Sequence, residues 1–487
     1  MSKSEWHASS RLVPARAARL ALLLGIGVLS ATRSAAAPFR AGAAAVDITP
    51  PVGTVMNGGT APAVSTHVHD PLHARALVLD DGTNRLAWVV VDNCLIDRPL
   101  FDEAKRLVRA SVGLPPDALC FSTTHTHSAG SATGVHLSEP DPAYRQLLPG
   151  RIADAVRIAA NRLAPAAIGW ASGTVPQHVF NRRIRLRPGT AYTNLLGKTG
   201  DDAKMNWSSP SPEDLEFAGP VDPELFVVSV RHADGRPLAL LANYSLHYVG
   251  GVGGGHLSAD YYGEFCERIA RLLGAGDGTG DPPFVAMLSN GTSGDVNNVD
   301  FRTKAPQRPP YAQIRRVAND VAREAARLVG GLGHRDDVAL RHASMELPLS
   351  VRKPTRGEVA AARGLIHGRA TGELRSWPEI YAREQLLLDA YPSTVSLPVQ
   401  LFRIGDLEIA QWPGEIFASS GLALKAAAKP GALFNIGLAN GWYGYIPPPE
   451  QHALGAYETW RARTSPLETN AIPRLLDAFA ALRRSLR

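Results

Sequence analysis

Residues 73–93 read HARALVLDDGTNRLAWVVVDN. Two apolar runs, His73–Asp80 and Arg85–Asn93, are joined by Asp81-Gly82-Thr83. Apolar runs on either side of an Asp-Gly turn predict a β-hairpin. A hairpin sets consecutive strands antiparallel with no helix between them, which a strict (βα)8 alternation does not do. Working outward, similar strands are expected at Leu225–Arg231, Pro237–Tyr244, Pro283–Ser289, Val338–Leu349, Val395–Ile404 and Leu407–Gln411. Helical periodicity appears at Leu100–Ala110, Tyr144–Arg162, Ala259–Leu273, Tyr311–Leu328, Gly357–Ile366 and Ala471–Leu486. Hairpins mixed with helices predict an α/β (mixed α+β) fold of layered mixed β-sheets with surrounding helices. A single large domain over residues 38–487 fits better than two, and no internal repeat, low-complexity linker or long charge block is visible. The stretch Asn181–Pro220, rich in Gly, Pro, Ser and Asp, is a candidate site wall or lid.

The 487 residues are 45% hydrophobic and 20% charged, which excludes a disordered chain, a collagen-like repeat and a coiled coil. The formal net charge of +6 suggests an acidic partner only until its location is considered. Residues 1–37 hold five basic side chains (Lys3, Arg11, Arg16, Arg19, Arg33) against Glu5, a net of +4, which leaves +2 on the remainder. This segment, with its positive leader, apolar run Leu20–Leu29 and small residues up to Ala37, reads as a signal peptide. The protein is therefore expected to be exported, periplasmic or secreted. No stretch is long enough for a transmembrane segment, so at most peripheral membrane contact is expected. No basic cluster interleaved with aromatics supports nucleic-acid binding. Cys94, Cys120 and Cys266 allow at most one bridge, and buried free thiols are the expected state. The sequons at Asn206, Asn243 and Asn290 are read as coincidental.

Two H-x-H pairs draw attention: His67-Val68-His69 and His125-Thr126-His127. In extended chain, residues i and i+2 point to one side, so both imidazoles of a pair can face one centre. The second pair ends a β-prone run and opens into small residues, where strand ends build sites. A catalytic metal needs further ligands from distant segments. Candidates stand where polar residues interrupt apolar strands: Tyr244-Ser245-Leu246-His247-Tyr248, Pro413-Gly414-Glu415, and Asn440-Gly441-Trp442-Tyr443-Gly444-Tyr445. Asp92, ending the strand Leu86–Val91, is a candidate either to orient a ligand or to bond backbone at the strand end.

Taken together these segments resemble the catalytic domain of the neutral/alkaline (non-lysosomal) ceramidase family of zinc amidases. The resemblance runs through Ala45-Val46-Asp47-Ile48-Thr49-Pro50, His69-Asp70-Pro71-Leu72, Thr124-His125-Thr126-His127-Ser128, Asn181-Arg182, Gly219-Pro220-Val221-Asp222-Pro223, Ser258-Ala259-Asp260-Tyr261 and Gly444-Tyr445-Ile446-Pro447, in that order. It implies Zn2+ as cofactor, with His125, His247, Glu415 and Tyr445 as its ligands. It also implies His127, Arg182 and Tyr457 as catalytic residues, Tyr457 standing twelve positions after Tyr445. The implied function is cleavage of a linear amide, the N-acyl bond of a small or lipid-like substrate, by metal-activated water. Two departures bear on substrate. Asn297 and Asn298 stand where the family has a serine and a proline, and the chain stops at Arg487 without the family's C-terminal immunoglobulin-like domain. Both leave the metal chemistry intact and call ceramide itself into question. A zinc esterase or lactonase, a TIM-barrel-type amidohydrolase using His67 and His69, and a non-catalytic exported binding protein are the alternatives.

Overall fold

The computed structural model of the chain describes residues 38–206, 216–276, 281–303 and 307–486. The export signal expected over residues 1–37 lies outside the described residues. Strands β1 (Arg40–Asp47), β2 (His73–Asp80) and β3 (Arg85–Val91) run antiparallel in that order. Helix α1 (Arg98–Val112) crosses over, β4 (Leu119–Thr123) returns parallel to β3, and α2 (Pro142–Asn161) follows. The same sequence of events then recurs. Strands β5 (Ala164–Thr174), β6 (Glu224–His232) and β7 (Pro237–Tyr244) are antiparallel neighbours; α3 (Asp260–Leu272) leads to β8 (Val285–Asn290), parallel to β7, and α4 (Ala312–Gly330) follows.

A third round uses β9 (Leu340–Ser350), β10 (Thr394–Ile404) and β11 (Leu407–Gln411), with helices α5 (Arg356–Leu365) and α6 (Trp377–Asp389) inserted between β9 and β10. Helix α7 (Ala418–Ala428) leads to β12 (Ala432–Ile436), parallel to β11, and the short α8 (Pro449–Ala453) and α9 (Ala471–Ser485) complete it. The fold is thus the expected mixed α/β layering, but the expectation of no internal repeat is corrected: one βββαβα unit occurs three times. Only strand alternation, a tight hairpin and a helical crossover recur, not residue identities, so the sequence carries no visible period.

The first two units share an eight-stranded sheet of order β8-β7-β6-β5-β1-β2-β3-β4, and the third has its own sheet, β9-β10-β11-β12. Within the eight strands the seam is slight, Arg40↔Pro165 and Ala41↔Ala164, at the starts of β1 and β5. That short seam lets the two halves fold toward each other. Alternation along each strand explains the packing, because successive side chains face opposite ways. Leu77, Leu79, Trp88 and Val90 share one core with Phe226, Val228 and Met287 of the second unit and Phe402, Ile409 and Phe434 of the third. Trp88 meets Phe402 edge-on with centroids 5.1 Å apart, and Phe226 stacks on Phe434 at 4.9 Å.

The other face of each sheet packs on its own helices. Ala76, Val78, Ala87 and Val89 meet Phe101, Val108, Ile152 and Val156 of α1 and α2. Val227, Leu240 and Ala242 meet Phe265, Val317 and Val321 of α3 and α4. Val399, Leu401, Ala410 and Trp412 meet Leu424, Leu475 and Phe479 of α7 and α9. Strands covered on both faces read as near-continuous apolar runs, which is how residues 85–91 look in sequence.

In each unit the tight hairpin lies at one end, and the long connection between first and second strands (48–72, 175–223, 351–393) lies at the other, where the third and fourth strands also end. Those ends are laced together. Asn290 donates its amide to Thr124 O at 3.3 Å, Gly437 N donates to Asn290 O at 2.9 Å, and Asn440 N donates to Phe121 O at 2.6 Å. Because Trp88 joins the units at the common core, Trp88→Ala is expected to cost about 3–5 kcal/mol. Leu365→Ala on the exposed face of α5 should stay within about 0.5 kcal/mol. Denaturant titration of the two variants checks the contrast.

Candidate functional site

Each unit delivers a metal-type base to the laced end. His125 lies two residues past β4, its backbone in the left-handed region (φ 71) and its N–H donating to Asn93 O at 2.9 Å. His247 lies three residues past β7. Glu415–Ile416, just after β11, pairs in parallel with Tyr445–Ile446, and the register sets Glu415 opposite Tyr445. Paired positions project to the same side of a sheet, so the carboxylate and the phenol are neighbours by construction.

The geometry is tight. His125 Nε2 lies 2.9 Å from His247 Nε2 and 3.3 Å from Glu415 Oε2, and His247 Nε2 lies 3.8 Å from the same oxygen. The other ring nitrogens decide the tautomers. His125 Nδ1 faces Cys94 O at 2.9 Å and His247 Nδ1 faces Ser293 O at 3.0 Å. A carbonyl oxygen only accepts, so each Nδ1 carries the hydrogen and each neutral ring presents a bare Nε2 lone pair. Glu415 Oε1 accepts from Trp442 Nε1 at 2.9 Å, while Oε2 has no hydrogen-bond partner among the described residues.

Three lone pairs therefore converge where His125 is 3%, His247 2% and Glu415 5% exposed, too buried for bulk water to separate them. One cation at the centre resolves the conflict, and the donor set of two imidazole nitrogens and a carboxylate oxygen fits a divalent metal ion. The charge balance agrees that positive charge belongs there: burial lowers His125, but Glu415 and Cys94 outweigh it and hold the imidazole up at about 10, so without a metal ion a proton on His125 takes the cation's place. Burial, followed by His125 and Arg182, pushes His247 well below its usual range. Tyr445 is raised by burial and by Glu415, and the nearby Arg182 guanidinium, 5.3 Å from its ring centroid, pulls the other way.

Around this cluster stand the other residues singled out from sequence. His127 Nε2 is 3.2 Å from His125 Nε2, and its ring stacks on Tyr248 with centroids 3.8 Å apart. Arg182 donates Nε to Glu458 Oε1 at 2.9 Å, sets Nη1 3.4 Å from His247 Nε2, lies against Tyr445, and leaves Nη2 without a hydrogen-bond partner among the described residues. Glu458, fully buried, takes a second hydrogen bond from Arg183 Nη1 at 2.6 Å. Tyr457 lines the same cavity as His125, His127 and Glu415, its hydroxyl 3.1 Å from His136 Nε2.

Several expectations change. Asp92 follows the second of its two readings and bonds strand-end backbone: its Oδ2 accepts from His73 N and from the Arg75 guanidinium, while its buried Oδ1 has no hydrogen-bond partner among the described residues. His67 pairs through its backbone with His256, their rings 4.7 Å apart, and His69 stacks on Tyr311 at 3.6 Å, so among the described residues the H-x-H at 67–69 joins no three-residue ligand set. Mixed sheets in place of a (βα)8 ring remove the TIM-barrel alternative altogether. The stretch Asn181–Pro220 carries Arg182 into the site and then folds as a small sheet of Arg183–Arg185 with Ala203–Met205 and Glu216–Phe217; residues 207–215 lie outside the described residues. Asn297 pairs with Phe180, two residues before Arg182, and its side-chain oxygen is used by Val299 N at 3.3 Å. The cysteines are free, with Cys94 and Cys120 buried. Asn243 and Asn290 are buried, and their amides are hydrogen-bonded inside the fold. His136, Tyr248, Glu458 and Gly58 carry no sequence signal that marks them as site residues. Each is recruited only by the meeting of distant segments.

No family model matches the chain. Over 97% of its length it is 23% identical to the neutral ceramidase of Pseudomonas aeruginosa, covering 76% of that protein. The crystal structure of that neutral ceramidase shares the fold, with a TM-score of 0.68 at 19% identity, over 92% of this chain and 74% of the other. A ceramidase solved in complex with C2 has the same TM-score of 0.68 at 17% identity, over 92% of this chain and 75% of the other. The resemblance to the ceramidase family read from the ordered motifs therefore holds along nearly the whole chain, and the architecture is that of those structures.

His125→Ala, His247→Ala and Glu415→Ala should each abolish tight retention of a divalent metal, measured by elemental analysis after dialysis. A His67→Ala/His69→Ala double variant should keep it; loss of metal there would mean the cluster is misassigned.

Proposed function

We propose that this chain is a zinc-dependent amidohydrolase of the ceramidase type, cleaving the N-acyl bond of a small or lipid-like linear amide outside the cytoplasm. The observation that carries the reading is the buried convergence of His125 Nε2, His247 Nε2 and Glu415 Oε2, one base from each unit. It occurs in a chain similar to a neutral ceramidase over 97% of its length. His125, His247, Glu415 and Tyr445 would hold the ion, a nitrogen and oxygen set of the kind zinc accepts. Bound there, zinc supplies a Lewis acid and brings the pKa of water down to about 7.

The protein's own groups supply the remainder. His127 is pushed well below its usual range, first by burial and then by His125 and Arg182, so its ring is neutral and Nε2 is unprotonated. Its ring is engaged by the Gly58 backbone and stacked on Tyr248, which fixes Nε2 toward the cluster. In that position it takes the proton of the attacking water and returns it to the leaving amine, which an amide needs more than an ester does. The unpartnered Arg182 Nη2 and the Tyr457 hydroxyl are the donors for the oxygen that becomes negative as the carbonyl carbon turns tetrahedral. Glu458 holds Arg182 in place while leaving Nη2 free.

Residues 1–37, read as a signal peptide, would place the enzyme in the periplasm or outside the cell. Among the described residues no helix is long and apolar enough to cross a membrane.

A screen of fluorogenic N-acyl amides, esters and lactones with the zinc-loaded mature protein should show its highest kcat/KM on an N-acyl amide. Glu415→Ala should be inactive, and full activity in that variant would sink the site assignment. Faster turnover of esters or lactones would move the substrate class without moving the site. Arg182→Ala should lower kcat by about 10²–10³-fold, the usual cost of one oxyanion donor. Gly58 has φ 119, and a Cβ there would lie 2.5 Å from His127 Cβ. Gly58→Ala should therefore retain zinc while losing most of kcat, since it displaces the base and not the ligands.

A further inference from the structure

His136 lies outside every motif that marks the site, yet it is buried in the wall of the same cavity as His125, His127 and Glu415. It occupies a tight turn: Val135 N donates to Ser138 O at 3.1 Å and Ser138 N donates to Val135 O at 2.9 Å. Its backbone is left-handed (φ 50), a conformation a non-glycine residue adopts only when its surroundings impose it. Arg383 Nη1 imposes it from one side, donating to His136 O at 2.7 Å, and Arg463 Nη2 does so at 3.4 Å. The outcome is a ring set among Trp377, Tyr381 and Tyr457, at centroid distances of 6.1, 6.2 and 6.2 Å.

The two ring nitrogens differ in kind. Nε2 lies 3.1 Å from the Tyr457 hydroxyl oxygen, and Nδ1 is buried with no hydrogen-bond partner among the described residues. A buried N–H without an acceptor is rarer and more costly than a buried acceptor without a donor. The neutral ring therefore keeps its hydrogen on Nε2 and leaves Nδ1 bare. Burial lowers the His136 pKa, and Arg463 and Arg383 lower it further against Glu384 and Glu415, which keeps the ring neutral.

We infer that His136 is a positioning residue for Tyr457: it donates Nε2–H to the phenol oxygen, so the phenol's own hydrogen is left to point into the cavity. With the opposite tautomer the phenol would spend its hydrogen on the imidazole and offer the substrate only an oxygen. The direction of one hydrogen bond thus decides whether Tyr457 stabilises or repels a developing oxyanion. Tyr457 itself follows Ala456, another left-handed non-glycine residue (φ 74), so both partners are held in place by constrained backbone. The assignment rests on the oxyanion role proposed for Tyr457, and two measurements separate them.

The first is independent of activity. In zinc-loaded protein with 15N-labelled histidine, the His136 resonances are assigned by their loss in His136→Gln. A pyrrole-type Nε2 and a pyridine-type Nδ1 are expected, and a protonated Nδ1 overturns the inference. The second is a double-mutant cycle on the best N-acyl amide from the screen. His136→Phe should lower kcat by about tenfold or more with little change in KM. His136→Gln keeps an N–H donor near the Nε2 position and should recover most of that loss. In a Tyr457→Phe background, His136→Phe should cost nothing further. An equal loss in both backgrounds would show that His136 acts independently of Tyr457 and would overturn the inference. Zinc content and thermal midpoint of each variant exclude unfolding as the cause. Unchanged kcat in Tyr457→Phe would sink the oxyanion role of Tyr457, while the tautomer measurement still decides the hydrogen bond.

Discussion

Two imidazole lone pairs held 2.9 Å apart, with a carboxylate oxygen 3.3 Å from one of them, repel unless a proton or a metal ion lies among them. Such an arrangement is not reached by local structure, because each base belongs to a different βββαβα unit and comes within reach only when all three units have packed. The shared core of Trp88, Phe226, Phe402 and Phe434 therefore does more than stabilise. It fixes the distance between the ends of β4, β7 and β11, and with it the size of the metal-type cavity. The rings are locked from behind by the carbonyls of Cys94 and Ser293, so the lone pairs cannot turn away to relieve the conflict. Repulsion among the bases is offset by burial elsewhere, and the site is preorganised for positive charge.

The threefold recurrence explains how one architecture carries so many different groups to one place. Hairpins at the far end are short, whereas the connections between first and second strands are long and all open at the site end. The first contributes Gly58, against which His127 rests. The second contributes Arg182. The third inserts α5 and α6, whose Trp377 and Tyr381 surround His136 and Tyr457. Buried ionic groups are tolerated here because they are networked: Glu458 binds Arg182 and Arg183 together, and removing one member would strand the others in a low-dielectric interior.

Much of this was legible in the chain before folding. The hairpin at 73–93, the strands Pro237–Tyr244 and Leu407–Gln411, and all of the periodic helices lie where alternation and turn chemistry place them. Polar residues at strand ends, His125, His247 and Glu415, stood out because they interrupt apolar runs. The repeat was not legible, since the three units keep a pattern of faces and connections but not of residues. Asp92 left two readings open because a strand-end carboxylate looks the same whether it serves a ligand or, as here, strand-end backbone and an arginine. His67 and His69 stayed a rival pair for a related reason: i, i+2 spacing puts two rings on one side of a strand without saying what lies there.

Although the strands Arg40–Asp47 and Ala164–Thr174 and the helices α6 and α7 went unread, the sequence by itself determined the hairpin at 73–93, most of the long strands and six of the helices, that the sheets are mixed, and which residue types were available for metal chemistry. These follow from short-range sterics and from the period with which side chains alternate between faces. Only the tertiary structure decided which histidine pair meets a carboxylate, that Tyr445 stands beside Glu415, and that His136 faces Tyr457. Those are contacts between residues tens to hundreds of positions apart, set by how three sheets share one core, and nothing in local spacing encodes them.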